Sequence, residues 1–293
     1  MTYKYTCCKA DNGKTVKQII AENFSVTSRS LSKLKFSGGI ALNGQTVTVR
    51  HEVYDGDILT LTFTDINSSQ IKPENISLDI IFENSDILAV NKPSAMPTHP
   101  SAGHYSGTLA NAVMFRYRGV PFTFRPVTRL DGDTTGIVLI AKNAPVCAKL
   151  SELLANGNLQ KQYLAICENV PEPKSGSIDA AISREPGSRI KRRVSPDGKS
   201  AVTFYETLKV LGGGKYSLIR CFPKTGRTHQ IRLHMSHIGC PLYGDFLYGT
   251  QNSDTERALL HCEKLSFSLD GKNVTEIVAP MPQDFKDFIS KHK

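Results

Sequence analysis

"RPVTRLDGDTTGIVLIAKN", residues 125–143, joins a polar turn to a run of branched apolar residues. The run IVLIA has the length and composition of a buried strand, because strands covered on both faces are continuous in hydrophobic residues. Asp131 and Asp133 precede this strand in a turn beside Arg129. A carboxylate held rigidly there, with a cation nearby to keep it ionised, is suited to act as a nucleophile. The alternative is an aspartate that caps the amides of its own turn, as single loop aspartates usually do.

The segments on either side of this strand predict an α+β fold. Downstream, apolar residues at Val146, Leu150, Leu153 and Leu154 recur at helical spacing and end before Gly157. Further strands are predicted in the runs ISLDIIFE, ILAVNKP, QYLAICE, AVTFYETLKVL and YSLIRCF, and further helices in TLANAVMFRYR and RTHQIRLHMSHIG. Few helices scattered among many strands favour a mixed, largely antiparallel sheet with flanking helices.

The N-terminal part of the chain predicts a small α/β unit of its own. Apolar residues at helical spacing indicate one helix within 14–24, and a second helix begins at Ser28 and ends at Gly38-Gly39. The Asn43-Gly44 pair then predicts a hairpin turn, and Asp55-Gly56 predicts a second turn before another strand.

A linker is predicted after this unit. Asn, Ser, Pro and Asp interrupt every periodicity over DINSSQIKPEN, residues 65–75. The sequence therefore predicts a small domain at 1–64, the linker, and a larger domain at 76–293.

The composition limits the class of protein. The 40% hydrophobic and 22% charged residues are ordinary for a folded globular chain, which excludes a disordered or fibrous protein. No apolar run approaches the roughly 18 residues of a membrane span, and the opening MTYKYTCCKADNGK lacks the apolar stretch of a signal peptide. A cytoplasmic location without membrane contact is therefore expected. The formal charge of +9 suits a polyanionic partner.

The cysteines predict neither a disulfide framework nor a zinc ribbon. Their number, seven, is odd, and no C-x-x-C pair occurs among them. Most are expected to be small residues of the hydrophobic core.

Five motifs, in order along the chain, resemble those of the RluA/RluD family of RNA pseudouridine synthases. TRLDGDTTGIVLIAKN is similar to the family signature H-R-L-D-x-x-T-S-G, with Thr128 in place of the usual His and Thr135 in place of the usual Ser. The other motifs are DILAVNKPSAMPTHP, KQYLAI, TGRTHQIRLHMSHIGCPLYGD, and LLHCEKLSF with APMPQDF. Together they cover residues 76–285. The resemblance implies the family's fold and its reaction, the isomerisation of a uridine in RNA to pseudouridine.

That resemblance also implies roles for individual residues. The reaction cleaves the N1–C1′ glycosidic bond, turns the base over and rejoins it through C5, without redox change, so no cofactor is expected. Asp131 would be the carboxylate that attacks C1′ or removes the 2′ proton, and Arg227 would be the cation that keeps it ionised. Tyr163 would stack on the target base; the alternative is a core aromatic on a strand. Arg129 would help to hold the flipped nucleotide.

The histidines that follow Arg227 raise the question of a metal site. His229, His234 and His237 are spaced by five and three residues, which does not match the i, i+4 pair of zinc proteases. No metal ligands are therefore predicted. The histidines are expected to be structural or to face phosphates, and His229 and Arg232 are predicted to contact RNA.

Two basic segments predict contacts with RNA phosphates, the alternative being solvated surfaces. Within residues 14–63, the run SRSLSKLKFSGGIALNGQTV resembles a small RNA-binding module of a ribosomal small-subunit protein, which implies that Arg29, Lys33 and Lys35 face RNA. The segment 184–199 has turn residues at both ends and is predicted to be a basic loop. Its predicted RNA contacts are Arg189, Lys191, Arg192 and Arg193.

The sequence thus predicts an RNA pseudouridine synthase, acting as a monomer on ribosomal RNA in preference to transfer RNA. Two alternatives remain. DGDTT also fits the D-x-D-x-T motif of magnesium-dependent aspartyl-phosphate phosphatases, but these require a strand directly before the motif, where this chain has RPVTRL. A non-catalytic RNA-binding protein of the same fold would keep the basic surfaces, but the presence of Asp131, Tyr163 and Arg227 together argues against it. The sequence does not identify the target uridine.

Overall fold

The hydrophobic residues of the protein, seen in a computed structural model, form a small N-terminal core and a larger core in the rest of the chain. The structure describes residues 2–24, 26, 28–62, 71–101, 105–250 and 254–293, without the side chains of 28–30 and 33. Most of the predicted linker, at 65–70, lies outside the described residues, so the division of the chain into domains stays a prediction.

The N-terminal core lies under a four-stranded antiparallel sheet in the order β1-β4-β2-β3. The elements are β1 (Thr2–Thr6), α1 (Val16–Asn23), α2 (Ser28–Phe36), β2 (Ile40–Leu42), β3 (Gln45–Thr46) and β4 (Ile58–Thr62). The two predicted helices are confirmed. Strand β1 was not predicted, because it lies at the sheet edge and its residues are polar or only half buried.

The predicted hairpin turn between β2 and β3 is confirmed. Asn43 and Gly44 have φ values of +50° and +82°. Two consecutive residues with positive φ make a type I′ turn, whose twist matches that of the flanking strands and which Asn-Gly favours.

The larger part of the chain contains fifteen further α-helices and β-strands in its described residues. They are β5 (Ile80–Glu83), β6 (Ile87–Lys92), α3 (Leu109–Arg116), β7 (Thr135–Ala141), α4 (Ala144–Ala155), β8 (Gln160–Glu168), β9 (Ser175–Asp179), β10 (Ile182–Arg184), β11 (Arg192–Val194), β12 (Val202–Leu211), β13 (Tyr216–Pro223), α5 (Gln230–His237), β14 (Leu260–Phe267), β15 (Thr275–Val278) and α6 (Gln283–Lys291). The strands and helices predicted between residues 76 and 239 are confirmed. The prediction of a basic loop over 184–199 is wrong in part, because the segment begins at the last residue of β10 and contains β11, and these two strands pair as an antiparallel hairpin.

Nine of the described strands form one sheet in the order β5-β6-β7-β14-β8-β13-β12-β9, with β15 paired to β14. All neighbours are antiparallel except β7 and β14, which are parallel. The predicted α+β class, with a mixed and largely antiparallel sheet, is confirmed.

Strand β7 lies in the interior of this sheet, and every one of its residues is buried. Gly136 has a φ of +106°, and a Cβ atom at that position would lie 2.2 Å from the carbonyl oxygen of Cys262 on β14. Only glycine therefore allows the two parallel strands to approach this closely. The turn that carries Asp131 ends directly at β7, so it is attached to one of the most buried parts of the fold.

Candidate active site

A cleft of about 530 Å³, here called the Asp131 cleft, opens beside the start of β7. It is bordered by residues 97–99 after β6, by 126–132 and Thr134 before β7, by Lys161 and Tyr163 of β8, and by Pro223 and 225–232 leading into α5. The predicted site residues that line it are Arg129, Asp131, Tyr163, Arg227, His229 and Arg232. Among the described residues that line the cleft, Asp131 is the one carboxylate.

The backbone on the N-terminal side of Asp131 is fixed by a buried hydroxyl. Thr98 Oγ1 donates to the Leu130 carbonyl at 2.9 Å and accepts the Leu130 N–H at 3.2 Å. The Thr134 N–H closes the turn on the Asp131 carbonyl at 3.2 Å. In the part of the chain that the structure describes, the Asp131 carboxylate itself accepts no hydrogen bond, so the aspartate does not cap its own turn.

The C-terminal side of the turn is held by two buried basic side chains. Lys92 Nζ donates to the Gly132 carbonyl at 2.9 Å, and Arg257 Nη1 donates to the Asp133 carbonyl at 3.3 Å. Arg257 is in turn paired with Asp284 of α6, Nη2 to Oδ2, at 2.7 Å. The position of the Asp131 backbone therefore depends on three other parts of the chain, which are residues 92–98, Arg257 and Asp284.

Burial changes the protonation of Lys92. It lowers the pKa of the Lys92 amine to about 7, with the charges of Asp133 and Asp131 acting in the opposite direction. A neutral amine keeps two N–H groups, and Nζ makes two hydrogen bonds, to the carbonyls of Gly132 and, at 2.7 Å, Pro93. The contact with the turn is therefore compatible with either protonation state.

We expect the contribution of Lys92 to stability to depend on pH. Its pKa is 10.5 when unperturbed and about 7 in the folded protein, so between these values the unfolded chain binds more protons and the free energy of unfolding rises with pH. Relative to a Lys92→Met variant, wild type should gain up to about 1.4 kcal/mol per pH unit between about pH 7 and 10. Urea unfolding of both proteins across this range measures the difference. A difference that does not change with pH would show that the amine is not perturbed.

Tyr163 combines burial with access to the cleft. Its register neighbours are Cys221 on β13 and Cys262 on β14, and the residue is 7% exposed. Burial raises the pKa of the Tyr163 phenol well above its usual value, with smaller contributions from Cys262 and then Asp131. The phenol is therefore protonated at neutral pH. Tyr163 can offer a ring face and an O–H donor, but not a phenolate base.

A buried ion pair stands behind the cleft. Arg232 of α5 is 3% exposed and donates from Nε and Nη2 to the two carboxylate oxygens of Asp245, at 2.7 and 2.6 Å. Asp245 also accepts the N–H groups of Leu247 and Tyr248, at 3.0 and 3.2 Å. Burial opposes the charge on Arg232, but the bonds from Asp245 and the charge of Asp131 raise its pKa. This geometry places Arg232 as a fixed cation near Asp131 rather than as a surface contact for phosphates.

Arg227 does not form the ion pair with Asp131 that the family resemblance implied. Its side chain is exposed, and its Nε donates to the Ser200 carbonyl at 3.0 Å. Between these two described residues there is no ion pair within 4.0 Å. The Arg227 N–H donates to Oε1 of Gln230 at 3.0 Å. The predicted pairing is therefore wrong for this structure, while a catalytic role for Arg227 stays a prediction.

His229 connects the cleft to the basic hairpin β10–β11. Its Nδ1 lies 2.8 Å from the hydroxyl of Tyr248, and that hydroxyl oxygen accepts the Arg192 N–H at 2.8 Å. Because the oxygen is an acceptor towards Arg192, the Tyr248 proton is available for His229 Nδ1. Burial lowers the pKa of His229, with Asp131 acting in the opposite direction, so the imidazole is neutral at pH 7.

The predicted phosphate contacts lie in two places. On the hairpin and its tip, Arg189, Lys191 and Arg193 are exposed, whereas Arg192 is half buried. On α2, Lys35 is exposed, and the side chains of Arg29 and Lys33 lie outside the described residues. RNA contact at these positions stays a prediction.

Thr128, which replaces the usual histidine of the signature, has a structural contact. Its buried hydroxyl accepts the Leu139 N–H of β7 at 2.9 Å. Thr128 thus fastens the segment before the turn to the strand after it, and its side chain is engaged in that role.

Both ring nitrogens of His234, on α5, have protein partners. It is buried between the Thr203 hydroxyl and the Ala180 carbonyl, both at 2.9 Å. Within the described ranges, no group of three or more His, Cys, Asp or Glu side chains is placed to hold a metal ion. No helix among the same residues is long and apolar enough to cross a membrane.

Sequence reasoning missed four residues that build the site. Lys92, Thr98 and Asp245 each stand within a motif that resembles the family, so motif membership was an available signal for them. Arg257 carries no such signal, since it contacts Asp133 from a position 124 residues along the chain.

Comparisons with known proteins agree on one family. Residues 86–237 match the family described as RNA pseudouridylate synthase. The uncharacterized RNA pseudouridine synthase YjbO of Bacillus subtilis (strain 168) is 39% identical over 282 residues, covering 94% of this chain and 98% of that protein. The ribosomal large subunit pseudouridine synthase D of Pasteurella multocida (strain Pm70) is 35% identical over 301 residues, covering 96% and 92%. The structure of human RNA pseudouridylate synthase domain containing 1 matches with a TM-score of 0.59 at 26% identity, covering 71% of this chain and 84% of that one.

Proposed function

This chain belongs to the RNA pseudouridine synthase family, and we propose that its substrate is a uridine of large-subunit ribosomal RNA, with Asp131 as the nucleophile. The observation that carries the assignment of Asp131 is its position as the one carboxylate among the described residues of the cleft, on a turn held from both sides. The choice of RNA is supported by relatives in Pasteurella multocida and Xylella fastidiosa, both 35% identical, which are named for the large ribosomal subunit.

The proposed chemistry needs a single carboxylate. Asp131 either attacks C1′ of the uridine, displacing the base through N1, or removes the 2′ proton so that a glycal forms and the base departs. The freed base turns over and C5 bonds to C1′, which breaks the C1′–O bond to Asp131 in the first route or returns the 2′ proton from Asp131 to C2′ in the second. The C5 proton is then released and N1 takes up a proton. A glycoside hydrolase, which transfers the sugar to water, uses a pair of carboxyl groups. The cleft has one carboxylate among its described residues, which supports transfer of the sugar to C5 of the base instead.

The surrounding residues supply orientation and charge. Tyr163, protonated and buried, presents its ring to the base, and Arg129, which is exposed at the mouth of the cleft, is placed to support the flipped nucleotide. Arg232, fixed by Asp245, supplies a permanent positive charge behind the carboxylate.

The phosphatase alternative has little support in this geometry. It requires the second acid of D-x-D-x-T to reach the substrate, but Asp133 does not line the cleft, and strand β7 follows the motif instead of preceding it. The non-catalytic alternative would leave unexplained why the turn of Asp131 is held so completely.

We also assign RNA binding and catalysis to different parts of the chain. Residues 1–64 would bind RNA, residues 76–293 would carry out the reaction, and the protein would act as a cytoplasmic monomer where ribosomes are assembled. Catalysis is tested by the release of tritium from large-subunit RNA transcribed with C5-tritiated uridine, since replacement of the C5 proton accompanies the isomerisation. Pseudouridine mapping in cells that lack the protein then identifies the uridine. Full modification of ribosomal RNA in those cells would reject the proposed substrate.

We expect the two basic surfaces to supply affinity and not chemistry. In the full chain, replacing Arg29, Lys33 and Lys35 with glutamine, or Arg189, Lys191 and Arg193 with glutamine, should weaken RNA binding and lower the log-log salt slope by about 0.7 to 0.9 for each phosphate that is no longer neutralised. The rate at saturating RNA should stay near that of wild type. A matched control replaces the exposed Lys209, Lys215 and Lys272. An unchanged salt slope for either test variant would remove that surface from the RNA interface.

A further inference from the structure

A second cavity, of about 640 Å³, adjoins the Asp131 cleft. It lies between the C-terminal end of α4 with the segment after it and the facing ends of β12 and β13. We call it the Phe204 pocket. The residues that line both spaces are Leu154, Lys161, Pro223, Thr225, Gly226 and Arg227. These shared residues place an aromatic surface that the reaction does not use directly beside the cleft of the proposed nucleophile.

The lining of the Phe204 pocket joins aromatic rings to positive charge. Phe204 is 41% exposed, and it faces Phe222 in the register of β12 and β13, so the two side chains lie on one side of the sheet. Lys224 Nζ lies 5.7 Å from the centroid of the Phe204 ring. Lys161 and Arg227 add two more cations, and no Asp or Glu stands among the described residues of the lining.

Such a combination matches an unstacked nucleotide. Proteins that bind single-stranded RNA place bases on exposed aromatic rings and phosphates on neighbouring cations. Removing the target uridine from its stack leaves an adjacent base without a stacking partner. Neighbouring nucleotides lie close together along the RNA, so a pocket that adjoins the cleft can receive that base. An apolar protein segment would explain Phe204 and Phe222 but not the three cations.

We propose that the Phe204 pocket binds a nucleotide next to the target uridine, with its base on Phe204 and its phosphate at Lys224 and Arg227. This inference rests on the proposed function and adds a specificity site to it: the enzyme would select uridines whose neighbour can leave the stack.

The test compares Phe204→Ala with Leu208→Ala, a control that removes a similarly exposed apolar side chain, 39% exposed, from the same strand outside the pocket. The probe is large-subunit RNA transcribed with C5-tritiated uridine. Phe204→Ala should raise both KM and the Kd for this RNA by about tenfold and leave kcat unchanged, because a stacked base contributes equally before and during the reaction. Phe204→Tyr should restore KM, and Leu208→Ala should match wild type.

A second arm locates the base. The second RNA is a short one that contains the target uridine. The nucleotides on its 5′ and 3′ sides are replaced, one at a time, by an abasic ribose. Wild type should lose affinity at one position, and Phe204→Ala should show no further loss there, since both changes remove one interaction. Two results would overturn the proposed nucleotide site. One is an equal loss of affinity in both proteins at every abasic position. The other is a KM and Kd for Phe204→Ala equal to those of wild type. The Kd measurements test nucleotide binding in the pocket without depending on catalysis. An absence of tritium release by wild type would therefore reject the proposed function separately.

Discussion

Replacing Asp131 with asparagine is expected to reduce tritium release from C5-labelled RNA by at least about three orders of magnitude, the scale of loss seen when a nucleophile is removed. Asparagine keeps the shape of the side chain but has no negative charge with which to attack C1′ or accept the 2′ proton. Affinity for RNA should stay near that of wild type, because the contacts proposed for phosphates lie elsewhere.

The fold should tolerate this change. The turn is held through backbone carbonyls and N–H groups by Thr98, Lys92 and Arg257, and the Asp131 carboxylate accepts no hydrogen bond from any described residue. The free energy of unfolding should therefore change by less than about 0.5 kcal/mol. Asp133→Asn is the matched control, since it makes the same substitution two residues away and outside the lining of the cleft. It should retain most of the activity.

Replacing Arg232 with methionine is expected to have the largest effect on stability. The substitution leaves Asp245 completely buried without its cation, and breaking a buried pair in this way costs about 3 to 5 kcal/mol. Activity should also fall, because the positive charge behind Asp131 is removed. Thermal or urea unfolding and tritium release measure the two effects on the same samples.

A double variant separates the structural role of Arg232 from its electrostatic one. Arg232→Met combined with Asp245→Leu replaces the pair by apolar side chains, which removes the stranded charge and should recover most of the stability. Activity should stay low if the charge of Arg232 supports Asp131. Full recovery of activity in the double variant would show that Arg232 acts only through the fold.

Variants of Arg227 test the ion pair with Asp131 that the family resemblance implied. Its side chain is exposed and bonded to the Ser200 carbonyl, so Arg227→Met should leave stability unchanged and act mainly on KM. If Arg227 instead pairs with Asp131 once RNA is bound, Arg227→Met should depress activity near neutral pH, with partial recovery at higher pH, and Arg227→Lys should rescue poorly because it lacks the paired donors. pH-rate profiles of the three proteins distinguish these outcomes.

The sequence was informative wherever the deciding interactions are local. Asn43-Gly44 specifies its turn through its own backbone preferences, and the run IVLIA indicates a strand buried on both faces. Asp131 and Tyr163 were placed in one cleft because the motifs that contain them match a known family in order. Those inferences needed no knowledge of which segments meet in space.

The parts that could not be predicted depend on contacts between distant segments. Arg257 contacts Asp133, in the turn of Asp131, from 124 residues away, and no pattern in the sequence around Arg257 predicts that contact. The basic hairpin lacks alternating hydrophobic residues, and it is fixed instead by the Tyr248 hydroxyl at the Arg192 N–H. Arg227 and Arg232 stand in one motif, but they are held by partners distant in the sequence, Arg227 by the Ser200 carbonyl and Arg232 by Asp245.

The most direct test of the central claim is tritium release from C5-labelled large-subunit RNA by wild type, Asp131→Asn and Asp133→Asn, under single-turnover conditions with enzyme in excess. Excess enzyme makes the rate independent of small differences in affinity, so the comparison reports the chemical step. Wild type and Asp133→Asn should release tritium at similar rates, while Asp131→Asn should release none above background although it binds the same RNA. Release by Asp131→Asn at the wild-type rate would contradict its assignment as the nucleophile.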